Sequence, residues 1–307
     1  MVAQALRSTI RARMEPYADR LEEAVARKRS PLCVGIDPRL DKLPADVRSA
    51  ANGDAAQALL RFSLEVLDLA GPHAACVKPN IAFFEAYGVA GLSAYSSLVK
   101  GARQRGLLVI GDVKRGDLGA TADAYAQAHL APGADFEVDA VTVAGYMGGD
   151  AVAPLVEAAA RAAKGLYVLV RTSNPGAKDL QDVPCEGGPV YARMAALVRA
   201  WGEPHRGARG LSLVGAVVGA TWPQESRALR AMLPATPFLV PGYGTQGATA
   251  ADVAAAFLPG GRGAVVNASR SITFPSVKDP SVSWRDAVAA AACAAKEELH
   301  AAVRHDA

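Results

Sequence analysis

The sequence predicts an α/β fold, a (β/α)8 TIM barrel with additional helices at its ends, on three observations. Short apolar runs recur eight times along the 307 residues. Each is followed by a polar or glycine-containing loop and then by a stretch rich in alanine and leucine. The runs are near-continuously apolar, the pattern of parallel strands covered on both faces. Eight such units favour closure into a barrel over a doubly wound open sheet.

In chain order, residues 1–29 read as an N-terminal helical extension, with Leu21, Ala24 and Val25 at helical spacing and Pro31 marking its end. The predicted strands are 31–37, 74–80, 107–112, 138–143, 166–171, 212–219, 236–241 and 264–268. The longest irregular stretch, 172–188, follows the fifth strand, and a loop of that length in a compact domain is usually functional. No low-complexity tract splits the chain, so 1–307 is expected to form a single domain.

Composition narrows the function. A hydrophobic fraction of 51% with 21% charged residues fits a globular chain and excludes a disordered one. The balance of 33 basic against 30 acidic residues, +3 in total, is no polybasic footprint, so nucleic acid is not an expected partner. Cys33, Cys76, Cys185 and Cys293 stand far apart without a CxxC pair, and the five histidines show no ligand spacing, so no metal is implied. There is no GxxxxGK[ST], HExxH or EF-hand loop. The first thirty residues lack the apolar run of a signal peptide, and nowhere do about 18 apolar residues run uninterrupted. No membrane association is expected, and the expected location is cytoplasmic.

The unusual polar residues gather at the C-terminal ends of the predicted strands, where barrels of this kind build their sites. Asp37 ends the first, Lys78 and Asn80 the second and Asp112 the third, and Ser173 follows the fifth. In the densest cluster, 111–117 (GDVKRGD), Asp112 and Lys114 stand two apart and point to one face of an extended backbone, whereas Asp117 lies beyond Gly116 in the loop. The segment 241–247 (PGYGTQG) matches G-x-G-x-x-G, but no acidic residue falls between Val253 and Lys278 to take a ribose, so the dinucleotide reading gives way to a phosphate loop. Arg270, after the eighth strand, offers bidentate contact to a phosphate. Tyr243, Tyr146 and the Phe83-Phe84 pair are read as packing before ligand stacking.

Taken together, DVKRGD at 112–117, GID at 35–37, KPNIAFFEAYG at 78–88, TSNPGA at 172–177, PGYGTQG at 241–247 and NASRSI at 267–272 resemble the orotidine 5′-phosphate decarboxylase family, in its longer bacterial subfamily. The resemblance implies a homodimer with sites shared across its interface, acting on orotidine 5′-monophosphate without metal or organic cofactor. It implies Lys114 as proton donor, Asp112 as the carboxylate facing the scissile group, and Asp117 and Thr121 as residues reaching the other subunit's site. It further implies Asp37 and Lys78 on the ribose, with Asn80 beside them, Ser173 on the pyrimidine, and Gly244, Gln246 and Arg270 on the phosphate. The chain departs from the family pattern at Ala144-Gly145, where a polar or proline-containing lead-in to the following loop is expected. Two other readings remain open at the level of sequence: a metal-dependent sugar-phosphate decarboxylase or aldolase on a related barrel, and a non-catalytic phosphate-binding barrel.

Overall fold

The eight apolar runs become eight parallel strands in a computed structural model that describes residues 15–244, 247–276, 279 and 281–305. Numbered along the chain, the barrel strands are β1 (Leu32–Ile36), β2 (Cys76–Pro79), β3 (Leu108–Arg115), β4 (Ala140–Val143), β5 (Gly165–Arg171), β6 (Val214–Val218), β7 (Phe238–Pro241) and β8 (Ala264–Ala268). Each pairs with the next, and β8 returns to β1 through Leu32↔Val266 and its neighbours, which closes the sheet. The predicted strands agree to within two residues except at β3. That strand runs on through the charged cluster, because Arg115 pairs with Val143 of β4 where a loop was expected.

Side chains alternate along each strand and sort the barrel into two cores. Cys33, Cys76, Ile110, Ala140, Tyr167, Val217, Leu239 and Val265 fill the interior. Leu32, Val34, Val77, Val109, Val141, Val168, Val240 and Val266 face the surrounding helices. The same two-residue period, carried past the interior residues, aims Lys78, Asp112, Thr142 and Asn267 into the mouth of the barrel. The placement of these polar side chains at strand ends thus follows from the register of the buried apolar ones.

The helix Tyr17–Lys28 closes the opposite end; residues 1–14 of the predicted extension lie outside the described residues. Tyr17 is 1% exposed and meets Tyr167 edge-on, with the two hydroxyls 3.2 Å apart. Gly165 makes room for it: a Cβ there would lie 2.3 Å from the Tyr17 ring. Polar neighbours tie the helix to the rim. Asp19 accepts from the Ala208 and Arg209 N–H groups, Arg20 pairs with Asp139 at 2.6 Å, and Glu22 takes Arg262 and the Gly263 N–H.

The second terminal helix, Trp284–His305, lies outside the barrel and receives the Tyr243 hydroxyl on Glu298 at 2.6 Å. The 172–188 stretch is more ordered than its sequence suggests. It contains a 3-10 turn, Pro175–Asp179, and a small hairpin pairing Pro184–Cys185 with Gly188–Pro189. The cause is Arg171, 1% exposed at the end of β5: it pairs with Asp182 at 2.8 Å and stacks on Trp222 and Tyr191. No helix among the described residues is long and apolar enough to cross a membrane.

Candidate active site

At the mouth of the barrel one carboxylate is clasped by two ammonium groups. Asp112 accepts from Lys78 at 2.5 Å on Oδ2 and from Lys114 on Oδ1. Asp112 and Lys78 are buried, while the Lys114 side chain is 50% exposed and faces the opening. Burial works against charge on both buried groups, but the ion pairs prevail. Asp112 is held well below the usual carboxylate range by Lys78 and Lys114, and Lys78 above the usual lysine range by Asp112 and Asp37. Asp112 and Lys78 are therefore both ionised at neutral pH.

Lys114 adopts the left-handed conformation at φ 44°, which is unfavourable for a residue with a Cβ and costs of the order of 1–2 kcal/mol. It lies within an irregularity of the β3–β4 ladder between Gly111 and Arg115. Thr142 of β4 meets this segment: its hydroxyl oxygen accepts from the Val113 and Lys114 N–H groups, both at 3.0 Å, and lies 3.2 Å from Asp112 Oδ1. On the other side of Lys114, Arg115 pairs with Glu85 at 2.5 Å and packs over Tyr125. Glu85 stands in the 78–88 segment without a role assigned to it, Thr142 stands in no motif, and its only sequence signal is a polar residue inside a strand otherwise made of alanine and valine.

The remaining expected site residues fall around this centre. Asp37 and Arg270 line a common cavity of about 170 Å³ with Arg39, Phe83, Gly242 and Asn267, which brings the ends of β1, β7 and β8 together. Asp37 Oδ1, Ser269 Oγ and Ser271 Oγ are buried without a hydrogen-bond partner, an arrangement expected where a polar ligand supplies the missing partners. Asn80 bridges to Asp112 through its backbone, and its side-chain oxygen accepts from the Ala82 N–H at 3.2 Å. Ser173 is held through its backbone: its carbonyl accepts from Thr221, and the neighbouring Thr172 carbonyl accepts from Trp222 Nε1.

In the loop after β7, Gly242, Gly244 and Gly247 all take positive φ, as a tight glycine turn requires. The Gly244 N–H is turned onto the Ala248 carbonyl at 3.0 Å, so in this conformation the cavity's donors are side chains, among them Arg270, Arg39 and Asn267. Gln246 lies outside the described residues. Of the aromatics, Phe84 and Tyr243 are buried and Phe83 lines the cavity, whereas Tyr146 is 78% exposed.

Asp117 does not join the cluster of its own chain. Its Oδ1 accepts from the Leu118 N–H at 2.8 Å, and among the described residues Lys114 pairs with Asp112 alone. Thr121 is exposed on the helix Gly119–Leu130. Around these residues the loops after β3 and β4 come together, Ala144 N–H donating to the Arg115 carbonyl at 2.9 Å, and expose Leu118, Tyr146 and Met147. Small residues are needed here, since a Cβ on Gly116 would lie 2.6 Å from the Ala144 carbonyl. The Ala144-Gly145 departure thus sits where the two loops touch.

A closed (β/α)8 barrel with a lysine–aspartate–lysine cluster at the C-terminal ends of its strands defines the class: a (β/α)8-barrel enzyme. Sequence comparison gives the family. Residues 30–287 match the profile of the orotidine 5′-phosphate decarboxylase / HUMPS family, and the chain belongs to that family. It is 42% identical over 300 residues to the orotidine 5′-phosphate decarboxylase of Rhodopirellula baltica, covering 93% of this chain and 99% of the relative. It is 40% identical over 288 residues to that of Deinococcus radiodurans, with 94% and 98% covered. Among solved structures, Leishmania donovani OMP decarboxylase superposes with a TM-score of 0.74 at 33% identity, over 93% of this chain and 98% of that one.

Proposed function

We propose that the chain converts orotidine 5′-monophosphate to uridine 5′-monophosphate and carbon dioxide, the last step of UMP biosynthesis. The observation that carries this reading is the Lys78–Asp112–Lys114 cluster, which opens on the same end of the barrel as the cavity between Asp37 and Arg270. The bond from the ring to its carboxylate breaks, carbon dioxide leaves, and the electron pair stays on the ring carbon. Lys114 stabilises that charge and gives the carbon a proton, which its amine regains from water. Asp112 pairs with Lys114 and orients its amine at the mouth of the barrel. Asp37 and Lys78 hold the ribose with Asn80 beside them, Ser173 the pyrimidine, and Arg270 with the loop of Gly244 and Gln246 the phosphate.

This reading includes a homodimer acting in the cytoplasm. Asp117 and Thr121 serve the partner subunit's site, which accounts for an aspartate that leaves its own Lys114 alone and for the exposed Leu118, Tyr146 and Met147 around it. Mixing inactive Lys114→Ala and Asp117→Ala chains is expected to restore part of the activity, since one site of each heterodimer then carries neither substitution. Heterodimers that form and stay inactive contradict the shared site.

The family's double description leaves the metal-dependent relatives as the alternative. Purified protein given orotidine 5′-monophosphate in EDTA is expected to show the ultraviolet change from orotate to uracil at full rate. Activity lost on chelation and restored by magnesium favours the alternative, and saturable nucleotide binding without product favours a silent barrel.

A further inference from the structure

We infer that Thr142 is a positioning residue, one hydroxyl that fixes the backbone of Lys114 and the carboxylate of Asp112 together. The ladder between β3 and β4 is regular at Ile110↔Ala140 and Gly111↔Val141 and resumes at Arg115↔Val143. Between these pairs three residues of β3, Asp112, Val113 and Lys114, face the single residue Thr142 of β4. Main-chain pairing cannot serve three residues with one, and buried N–H groups left without acceptors are costly.

The Thr142 side chain takes over from the ladder, accepting from the Val113 and Lys114 N–H groups. A hydroxyl has two lone pairs and one proton. With both lone pairs engaged, the proton points away from those donors, towards Asp112 Oδ1 at 3.2 Å in preference to the Gly111 carbonyl at 3.5 Å. Thr142 is 2% exposed and aims into the barrel mouth, so water does not replace it. It therefore holds Lys114 in its left-handed conformation, which turns the ammonium group back onto Asp112, and it completes the shell of the ionised carboxylate.

The effect on turnover rests on the reading of Lys114 as proton donor, so the test carries that residue as a control. Thr142→Val keeps the branched shape and removes donor and acceptor, whereas Thr142→Ser keeps the hydroxyl. In steady-state assays with orotidine 5′-monophosphate across pH, Thr142→Val is expected to lower kcat about 10- to 100-fold with KM changed less than about threefold, and Thr142→Ser to stay within about threefold of the unsubstituted chain. Amide exchange at Val113 and Lys114 accelerates in the valine variant and not in the serine one.

An unchanged kcat and exchange rate in Thr142→Val, or a serine variant as impaired as the valine one, overturns the inference. Should the valine variant not fold, Thr142→Ala is judged by the same criteria. A Lys114→Ala chain that turns over normally overturns the reading of Lys114 instead, and the exchange rates at Val113 and Lys114 then decide on Thr142 by themselves.

Discussion

The two ends of the barrel are built to opposite rules. At the N-terminal end the helix Tyr17–Lys28 plugs the interior, and a set of ion pairs surrounds it: Arg20 with Asp139, Arg103 and Lys164 with Glu137, Arg262 with Glu22. The C-terminal end carries a left-handed Lys114 and leaves Asp37 Oδ1, Ser269 Oγ and Ser271 Oγ without partners. The larger cleft, about 830 Å³, is at the N-terminal end, lined by those paired charges. The smaller cavity of about 170 Å³ is at the other. Size is thus a poor guide to chemistry in this molecule. Clustered unmet hydrogen-bonding capacity marks the end that carries the proposed site, and paired charges mark the end that holds the barrel shut.

Substitutions at the two ends are expected to separate activity from stability. The largest effect falls on activity: Lys114→Ala is expected to lower kcat by at least about 10³-fold. Thermal unfolding should be little changed, because the side chain is half exposed. A kcat near that of the unsubstituted chain breaks the comparison. At the other end, Tyr17→Ala empties the plug and is expected to cost about 3–5 kcal/mol in denaturant unfolding. Its kcat, measured where the variant is still folded, should stay unchanged; a parallel loss of kcat shows that the two ends are coupled.

Arg270→Ala is expected to lower kcat/KM about 10- to 100-fold without changing the melting temperature, through loss of a charge-assisted contact to the phosphate. An unaltered kcat/KM removes Arg270 from the site. The smallest effect concerns Glu137, whose carboxyl burial pushes up but which Arg103, the Gly133 N–H and Lys164 bring down to about 2. A depressed carboxyl stabilises the fold above its ordinary value of 4.5, and that stability is lost as pH falls from there towards about 2. Glu137→Gln should therefore flatten the acid side of the stability–pH curve by about 1–2 kcal/mol. A curve identical to that of the unsubstituted chain shows that other carboxylates carry the acid sensitivity.

The readability of the two ends also differed. The charged centre was legible because Asp112 and Lys114 are adjacent in the chain and the strand period places them on one face. The β7–β8 cavity was legible because its glycines and Arg270 follow strands directly. Arg171 was passed over, since its partners Asp182, Tyr191 and Trp222 come from the following loop and from beyond the next strand. Local pattern therefore described 172–188 as irregular where a buried guanidinium orders it. Asp117 shows the reverse case, a residue that stands beside Lys114 in sequence and does not meet it in its own chain.

Short-range spacing alone located the eight strands, put Lys78 and Asp112 at the barrel mouth and carried the family signature. Only the tertiary structure decided that Thr142 faces three residues of β3 and that Tyr17 meets Tyr167 across 150 positions. The physical reason is that periodicity reports which face a side chain occupies. Its hydrogen-bond partner is chosen by the register between strands and by how the chain closes on itself, and neither is written in the local pattern.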